Sequence, residues 1–107
     1  MSDYKEERLY VLQHLDRRTL LEQLAEEAAE LSQAALKMIR AEELSNNPTP
    51  TNAFIASEQL EEEANDVLML LEPLGIQMSK MHIGFKWYRW ADRLRAKQEK
   101  KGDENAL

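Results

Sequence analysis

The sequence predicts an all-α protein, an antiparallel bundle of about four helices. Only three glycines and three prolines occur in 107 residues, whereas Leu, Ala, Glu, Lys and Gln, which are favourable in helices, are plentiful. No segment shows the alternation of β-branched and polar residues that is typical of a strand. Short connections between long helices favour antiparallel packing. We therefore expect a single domain over residues 1–107.

Apolar periodicity and breaker residues divide the chain into four helices. The approximate predicted bounds are Tyr4–Leu15, Arg18–Leu44, Asn52–Leu74 and Ile76–Lys100. The Pro- and Asn-containing segment 45–50 ends the second helix, and Thr51 or Asn52 can cap the third. Gly75 supplies a C-terminal stop for the third helix. The tail 101–107 is expected to be frayed.

Composition excludes several classes of protein. The chain has no cysteine, so it has neither a disulfide framework nor a thiolate metal site. No stretch approaches the roughly 18 apolar residues of a membrane span, and the charged start lacks the apolar run of a signal peptide. We therefore expect a cytoplasmic protein with no membrane partner. A net charge of −6 argues against binding a nucleic-acid polymer, but not against a single nucleotide bound through metal ions.

Two predicted helices place acidic residues at or beside their apolar stripes. The stripe of the second helix consists of Leu20, Leu24, Leu31, Ala35 and Met38. Glu27 falls within that stripe and Glu30 on its flank. The stripe of the third helix consists of Leu60, Val67, Leu71 and Leu74. Glu63 falls within it and Asp66 at its edge.

These acidic pairs suggest a metal site. Residues at i and i+3 stand about 5–6 Å apart at Cβ, close enough to share one cation or to hold neighbouring ones. Unpaired buried carboxylates are very unfavourable, and gathering four adds mutual repulsion. A divalent cation resolves this conflict, and all-oxygen ligation favours Mg²⁺ or Mn²⁺ over Zn²⁺. The alternative is an ordinary solvated face, which is the usual environment of Glu on a helix.

The acidic pairs also carry a family resemblance. Glu26-Glu27-Ala28-Ala29-Glu30, followed by Glu63-Ala64-Asn65-Asp66, resembles the EExxE…ExxD signature of the MazG-like nucleotide pyrophosphohydrolases, part of the all-α NTP pyrophosphatase superfamily. The similar region covers the second to fourth helices. The interval between Glu30 and Glu63 is longer than is usual in that family.

The resemblance implies a chemistry. It implies Mg²⁺, with Mn²⁺ as a substitute, held by Glu27, Glu30, Glu63 and Asp66. It also implies hydrolysis of a nucleoside triphosphate between the α and β phosphates, giving the monophosphate and pyrophosphate in nucleotide-pool housekeeping. A carboxylate would orient or deprotonate the attacking water. Glu26, Glu27 and Glu30 are the candidates, and the sequence does not choose among them.

The fourth helix combines an apolar face with basic residues. The face, which we interpret as core, consists of Ile76, Ile83, Trp87, Trp90, Ala91 and Leu94. By the resemblance, Lys86, Arg89 and Arg93 are candidates for binding substrate phosphate, although solvated surface residues are the equal alternative. Trp87 and Trp90 are candidates for stacking on a base, but aromatics at this spacing are more often core.

The long apolar stripes of so small a chain predict self-association, as a homodimer or homotetramer.

Two other functions stay open. One is a non-enzymatic interaction module whose Glu-rich helices pair with a basic partner. The other is a catalytically idle relative that binds nucleotides. The base preference is also open.

Overall fold

A computed structural model describes residues 3–43 and 52–106 of the 107-residue chain. Its four helices are α1 (Lys5–His14), α2 (Arg17–Ala41), α3 (Ala53–Leu71) and α4 (Lys80–Ala106). No strand occurs in these two ranges. The predicted fold class, all-α with four helices, is confirmed. Among the helices so described, none is long and apolar enough to cross a membrane.

Side-chain caps fix the starts of three helices. Asp16 accepts a hydrogen bond from the Thr19 backbone N–H at 2.8 Å at the start of α2, and this contact with Thr19 lowers the pKa of Asp16. Asn52 accepts from the Phe54 N–H at 2.8 Å and begins α3, as predicted; Thr51 lies outside the described residues. Ser79 Oγ accepts from the His82 N–H at 3.1 Å at the start of α4.

The end of α3 explains where α4 starts. Gly75 has a φ of 75°, and the Ile76 N–H donates to the Leu71 carbonyl at 2.9 Å while the Gly75 N–H donates to the Glu72 carbonyl at 2.9 Å. This is a glycine C-cap of the Schellman type. The chain must leave this turn before a new helix begins, so α4 starts at Lys80 and not at the predicted Ile76.

Three other predicted helix ends differ from the structure. The third helix ends at Leu71 and not at the predicted Leu74. The second helix ends at Ala41, before the predicted Leu44, which lies outside the described residues. The fourth helix continues to Ala106, whereas the sequence analysis expects a frayed tail from residue 101. The residues added to α4 include Lys101, Asp103 and Glu104, and Gly102 is their only breaker.

The chain divides into two compact units, one ending at Ile76 and the other beginning at Gln77. In the first unit, α2 packs along α3. Leu20, near the start of α2, lies in one buried cluster with Leu70 and Leu74, at the end of α3. Glu27, one to two turns further along α2, lies near Glu63, earlier in α3. The two helices are therefore antiparallel.

The first helix covers one end of this pair. Leu12 of α1 packs against the buried cluster of Leu20, Leu70 and Leu74. The Arg17 guanidinium, at the start of α2, donates to the Leu74 carbonyl at 3.1 Å. These contacts lie at one end of the α2–α3 pair. The predicted acidic residues lie nearer the middle of the pair.

The second unit contains one helix among its described residues, α4. Its apolar residues Ile83, Trp87, Trp90 and Leu94 recur at alternating intervals of four and three. The prediction that this face is core is wrong for the single chain, because these side chains and Ile76 are exposed and only Ala91 is half-buried. A helix without a second helix in its own unit has nothing on which to bury such a stripe.

Candidate metal centre

The contact between α2 and α3 is a regular apolar seam with two glutamates in it. Half-buried or buried residues recur at alternating intervals of four and three. They are Leu20, Leu24, Glu27, Leu31, Ala34 and Met38 on α2, and Ala56, Leu60, Glu63, Val67, Leu70 and Leu74 on α3 and its last turn. This is the spacing of a coiled-coil seam. Glu27 and Glu63 therefore occupy core positions of the packing.

Two predicted seam residues are displaced by one position. On α3, Leu70 is buried in the seam in place of the predicted Leu71, which is half-buried. Ala35 is exposed and its neighbour Ala34 is buried. The reason is the period of the packing. A seam that repeats every 3.5 residues drifts relative to the 3.6-residue turn of a straight helix, so the contact moves by one residue within a few turns.

Three of the predicted ligands converge across the seam. Glu27 of α2 and Glu63 and Asp66 of α3 each present a carboxylate oxygen, and these three oxygens lie within 4.8 Å of one another. All three side chains are half-buried. We refer to Glu27, Glu63 and Asp66 as the carboxylate triad.

Two oxygens of the triad have no protein partner. The Oε2 atoms of Glu27 and Glu63 are shielded from solvent, and neither has a hydrogen-bond partner among the described residues. The other Glu27 oxygen, Oε1, accepts a hydrogen bond from Gln23 Nε2 at 2.7 Å. A buried carboxylate oxygen without a partner is costly. The arrangement therefore calls for a proton or a cation between the two helices.

The pKa of Glu63 also shows that a negative charge at this position is unfavourable. It is raised from 4.5 to about 7. Burial of the carboxylate is the largest cause, followed by the negative charge of Glu30 and a hydrogen bond shared with it, and then by the charges of Asp66 and Glu27. The ion pairs found among the described residues all join other carboxylates, those of Asp3, Glu22, Glu72 and Asp92. No Lys or Arg in these ranges offsets the charge of the triad.

The triad fits a hard divalent cation. All of its donors are carboxylate oxygens, which Mg²⁺, Mn²⁺ and Ca²⁺ prefer. Two oxygens on one Mg²⁺ ion, each at about 2.1 Å, lie at most about 4.2 Å apart. Oxygens in cis positions on such an ion lie about 3.0 Å apart. The triad oxygens lie within 4.8 Å of one another, so side-chain rotations that bring them closer are needed for all three to bind one ion.

Glu30 and Glu26 differ from the triad. Glu30 is exposed, and its carboxylate lies close enough to Glu63 to raise the pKa of Glu63. It is not one of the three oxygens that converge. Glu26 is exposed and is neither part of the triad nor one of the groups that raise the pKa of Glu63. The structure thus brings Glu27, Glu63 and Asp66 together and keeps Glu30 beside them. Their roles as ligands or base stay predictions.

The predicted phosphate-binding residues form a cluster within α4. Lys86, Arg89, Trp90 and Arg93 line a recess of about 240 Å³. The rings of Trp87 and Trp90 stack on each other with centroids 5.6 Å apart and an interplanar angle of 4°. Each indole therefore offers only its outer face to any further aromatic group.

Sequence reasoning missed two features near the triad. The first is Gln23, whose position four residues before Glu27 is a helical hydrogen-bonding spacing that signals such a contact. The second is a groove between α1 and α3 that reaches Asp66. It depends on how α1 crosses the end of α3, for which the sequence carries no local signal.

Comparison of the chain with protein-family models, with curated proteins and with solved structures found no match.

Proposed function

We propose that this chain is a magnesium-dependent nucleoside triphosphate pyrophosphohydrolase of the MazG-like type, releasing pyrophosphate and a nucleoside monophosphate. The observation that carries the proposal is the carboxylate triad, in which Glu27 and Glu63 each bury an oxygen that has no hydrogen-bond partner in the described part of the chain. A hard cation can assist many reactions, and the resemblance to the EExxE…ExxD signature is our reason for proposing this one.

Glu27, Glu63 and Asp66 would hold the cation, and Gln23 would fix the orientation of Glu27 through its 2.7 Å hydrogen bond. When bound, Mg²⁺ supplies charge neutralisation at the phosphate oxygens. Because the triad is half-buried, water screens its charges less than it would at an open surface. A cation held there would offset the burial of the Glu63 carboxylate and the neighbouring negative charges, which together raise the pKa of Glu63.

We assign Glu30 the handling of the proton. A general base needs a lone pair that the cation does not occupy, and Glu30 lies beside the triad but outside it. Its carboxylate accepts a proton from the attacking water as the oxygen–phosphorus bond forms. The bridging bond between the α and β phosphates breaks, and pyrophosphate leaves with the bonding electron pair.

The basic cluster of α4 is suited to binding phosphate. Lys86, Arg89 and Arg93 surround one recess, and α4 as a whole carries eight Lys and Arg against four Asp and Glu. Guanidinium groups bind phosphate oxygens in a bidentate manner. We propose that these three side chains form a phosphate-binding surface on α4.

The unpartnered stripe of α4 supports self-association, as a homodimer or homotetramer. Ile83, Trp87, Trp90 and Leu94 share the four–three spacing of the α2–α3 seam and are between 41% and 63% exposed. A stripe with coiled-coil spacing that one chain leaves exposed is suited to a second copy.

The competing interaction-module hypothesis predicts a different environment for the acidic residues. Acidic helices that pair with a basic protein should present freely exposed carboxylates. The buried, unpartnered oxygens of Glu27 and Glu63 favour a cation between the helices instead. Glu61 and Glu62, on the outer face of α3, are the residues that match the exposed pattern.

The test is a screen of ribo- and deoxyribonucleoside triphosphates with Mg²⁺, scored separately for pyrophosphate and for orthophosphate. We expect pyrophosphate as the primary product and no product with a chelator in place of the cation. Glu63→Gln should abolish turnover, since it removes a triad charge while keeping the shape of the side chain.

Glu62→Gln is the matched control. It makes the same change one residue away on the exposed face of α3, and it should retain the turnover of the wild-type chain. Orthophosphate as the primary product would refute the proposed pyrophosphohydrolase reaction. Equal turnover of Glu63→Gln and the wild type would refute the proposal that the carboxylate triad is the metal site. A chain that binds nucleotide and cation without turnover would be the idle relative.

A further inference from the structure

A groove lies between α1 and α3, and we call it the α1–α3 groove. Its volume is about 680 Å³. The residues that matter here are Tyr4, Arg8 and Val11 on the α1 side and Asp66, Leu68 and Met69 on α3. Small-molecule sites commonly have volumes of roughly 300–1,000 Å³ and a mainly apolar lining with a few polar groups.

The groove adjoins the carboxylate triad. Asp66 belongs to the triad and also lines the groove. One turn along α3, Leu68 and Met69 supply an apolar wall that is 58% and 68% exposed. A ligand whose anionic part met a cation at the triad could therefore place an adjoining apolar part in the groove.

The groove also contains polar groups. Arg8 of α1 and Glu72, which follows the last residue of α3, form an ion pair at 4.0 Å, and Tyr4 is 73% exposed. Leu12 of α1 packs against the buried cluster, whereas Val11, which also lines the groove, is 44% exposed. A planar, mostly apolar ring with polar edges matches this distribution, because its faces need apolar contacts and its edges need hydrogen bonds.

We propose that the α1–α3 groove holds the nucleoside of the substrate, with the phosphates directed towards the triad. This inference rests on the proposed function, because it takes the substrate to be a nucleotide. It assigns α1 a role in substrate selection, since Tyr4, Arg8 and Val11 contact the nucleoside and do not contact the triad. The groove would then distinguish nucleotides from inorganic polyphosphates.

The test measures binding by calorimetry, with Mg²⁺ present, of two ligands. One is an α,β-methylene nucleoside triphosphate, which resists hydrolysis, and the other is inorganic tripolyphosphate, which lacks a nucleoside. Leu68→Trp fills the groove from α3. We expect Leu68→Trp to raise the Kd for the nucleotide analogue at least about tenfold, which is the scale of one blocked apolar contact. The Kd for tripolyphosphate should stay within about twofold of the wild-type value.

Leu36→Trp is the matched control, because Leu36 is 55% exposed on α2 and does not line the groove. Val11→Phe narrows the groove from α1 and serves if Leu68→Trp fails to fold. Wild-type affinity for the nucleotide in a folded groove variant would overturn the groove proposal alone. Failure of the wild-type chain to bind either ligand would overturn the proposed function as well.

Discussion

Glu27 of α2 and Glu63 of α3 occupy core positions of an antiparallel seam, each with an Oε2 atom that is buried and has no partner among the described residues. Neighbouring seam positions on both helices are apolar. Two leucines at these positions would pack without any charge. The pair therefore destabilises the metal-free seam, which is understandable if the carboxylates serve to bind a cation.

The first prediction concerns the pH dependence of the metal-free chain. The pKa of Glu63 is about 7 in the folded state, above its ordinary 4.5, so the folded state holds this proton more tightly than the unfolded state. The resulting stabilisation is fully present below about pH 4.5 and is lost as the pH rises through about 7. With a chelator present, thermal melts between pH 5 and pH 8 should show a falling melting temperature.

Glu63→Gln tests the source of this effect. Glutamine cannot lose a proton, so the variant should lose most of the decline between pH 5 and pH 8 that the wild type shows. A variant that kept the full decline would show that another group causes it.

The second prediction concerns Gln23. Its hydrogen bond to Glu27 Oε1 at 2.7 Å leaves Oε2 directed to the seam. Loss of a group that orients a metal ligand commonly weakens metal binding by about 10–100-fold. Gln23→Met, which removes the donor but keeps a good helix former, should raise the Mg²⁺ concentration needed for half-maximal thermal stabilisation by that factor.

Gln33→Met provides the comparison, since Gln33 is also exposed on α2 and lies away from Glu27. It should leave the Mg²⁺ midpoint unchanged. Equal Mg²⁺ midpoints for Gln23→Met and Gln33→Met would show that Gln23 does not support metal binding by Glu27.

The third prediction concerns the packing that holds the triad in place. Leu70 is 8% exposed and lies in the cluster with Leu20 and Leu74. Leu70→Ala should lower the free energy of unfolding by about 2–5 kcal/mol, measured by urea denaturation. Leu36→Ala, at a position 55% exposed, should change it by no more than about 0.5 kcal/mol. Similar losses in the two variants would contradict the packing described.

The fourth prediction concerns self-association through α4. Trp87 lies on the stripe with Ile83, Trp90 and Leu94, whereas Tyr88 is 72% exposed on another face. Light scattering after gel filtration should show a dimer or larger assembly for the wild type and for Tyr88→Ser. Trp87→Ser should shift the population towards monomer. A wild-type chain that is monomeric at all concentrations would contradict the prediction.

The sequence was sufficient for the fold class and for much of the site. Helix composition, the Asn52 cap and the Gly75 stop are local signals, and each appears in the structure. The position of Glu27 and Glu63 in the seam followed from helical periodicity alone. The convergence of these residues with Asp66 follows once the two apolar stripes pack against each other.

Other features depend on tertiary contacts that local patterns do not encode. Ala34 replaces Ala35 in the seam because packing, not the period of one helix, sets the register. The apolar face of α4 has the pattern of a core, yet the described residues of its unit contain no second helix to bury it. The α1–α3 groove depends on the packing of Leu12 against the end of the seam.

The central claim is that Glu27, Glu63 and Asp66 bind a divalent cation, and a thermal melt across a Mg²⁺ titration tests it most directly. A cation that binds only the folded state raises the melting temperature with concentration, by about 2.7 kcal/mol of stability at 100 times its Kd. We predict a rising melting temperature for the wild type and for Glu62→Gln, and little or no rise for Glu63→Gln. An equal rise in Glu63→Gln, or none in the wild type, would contradict the claim.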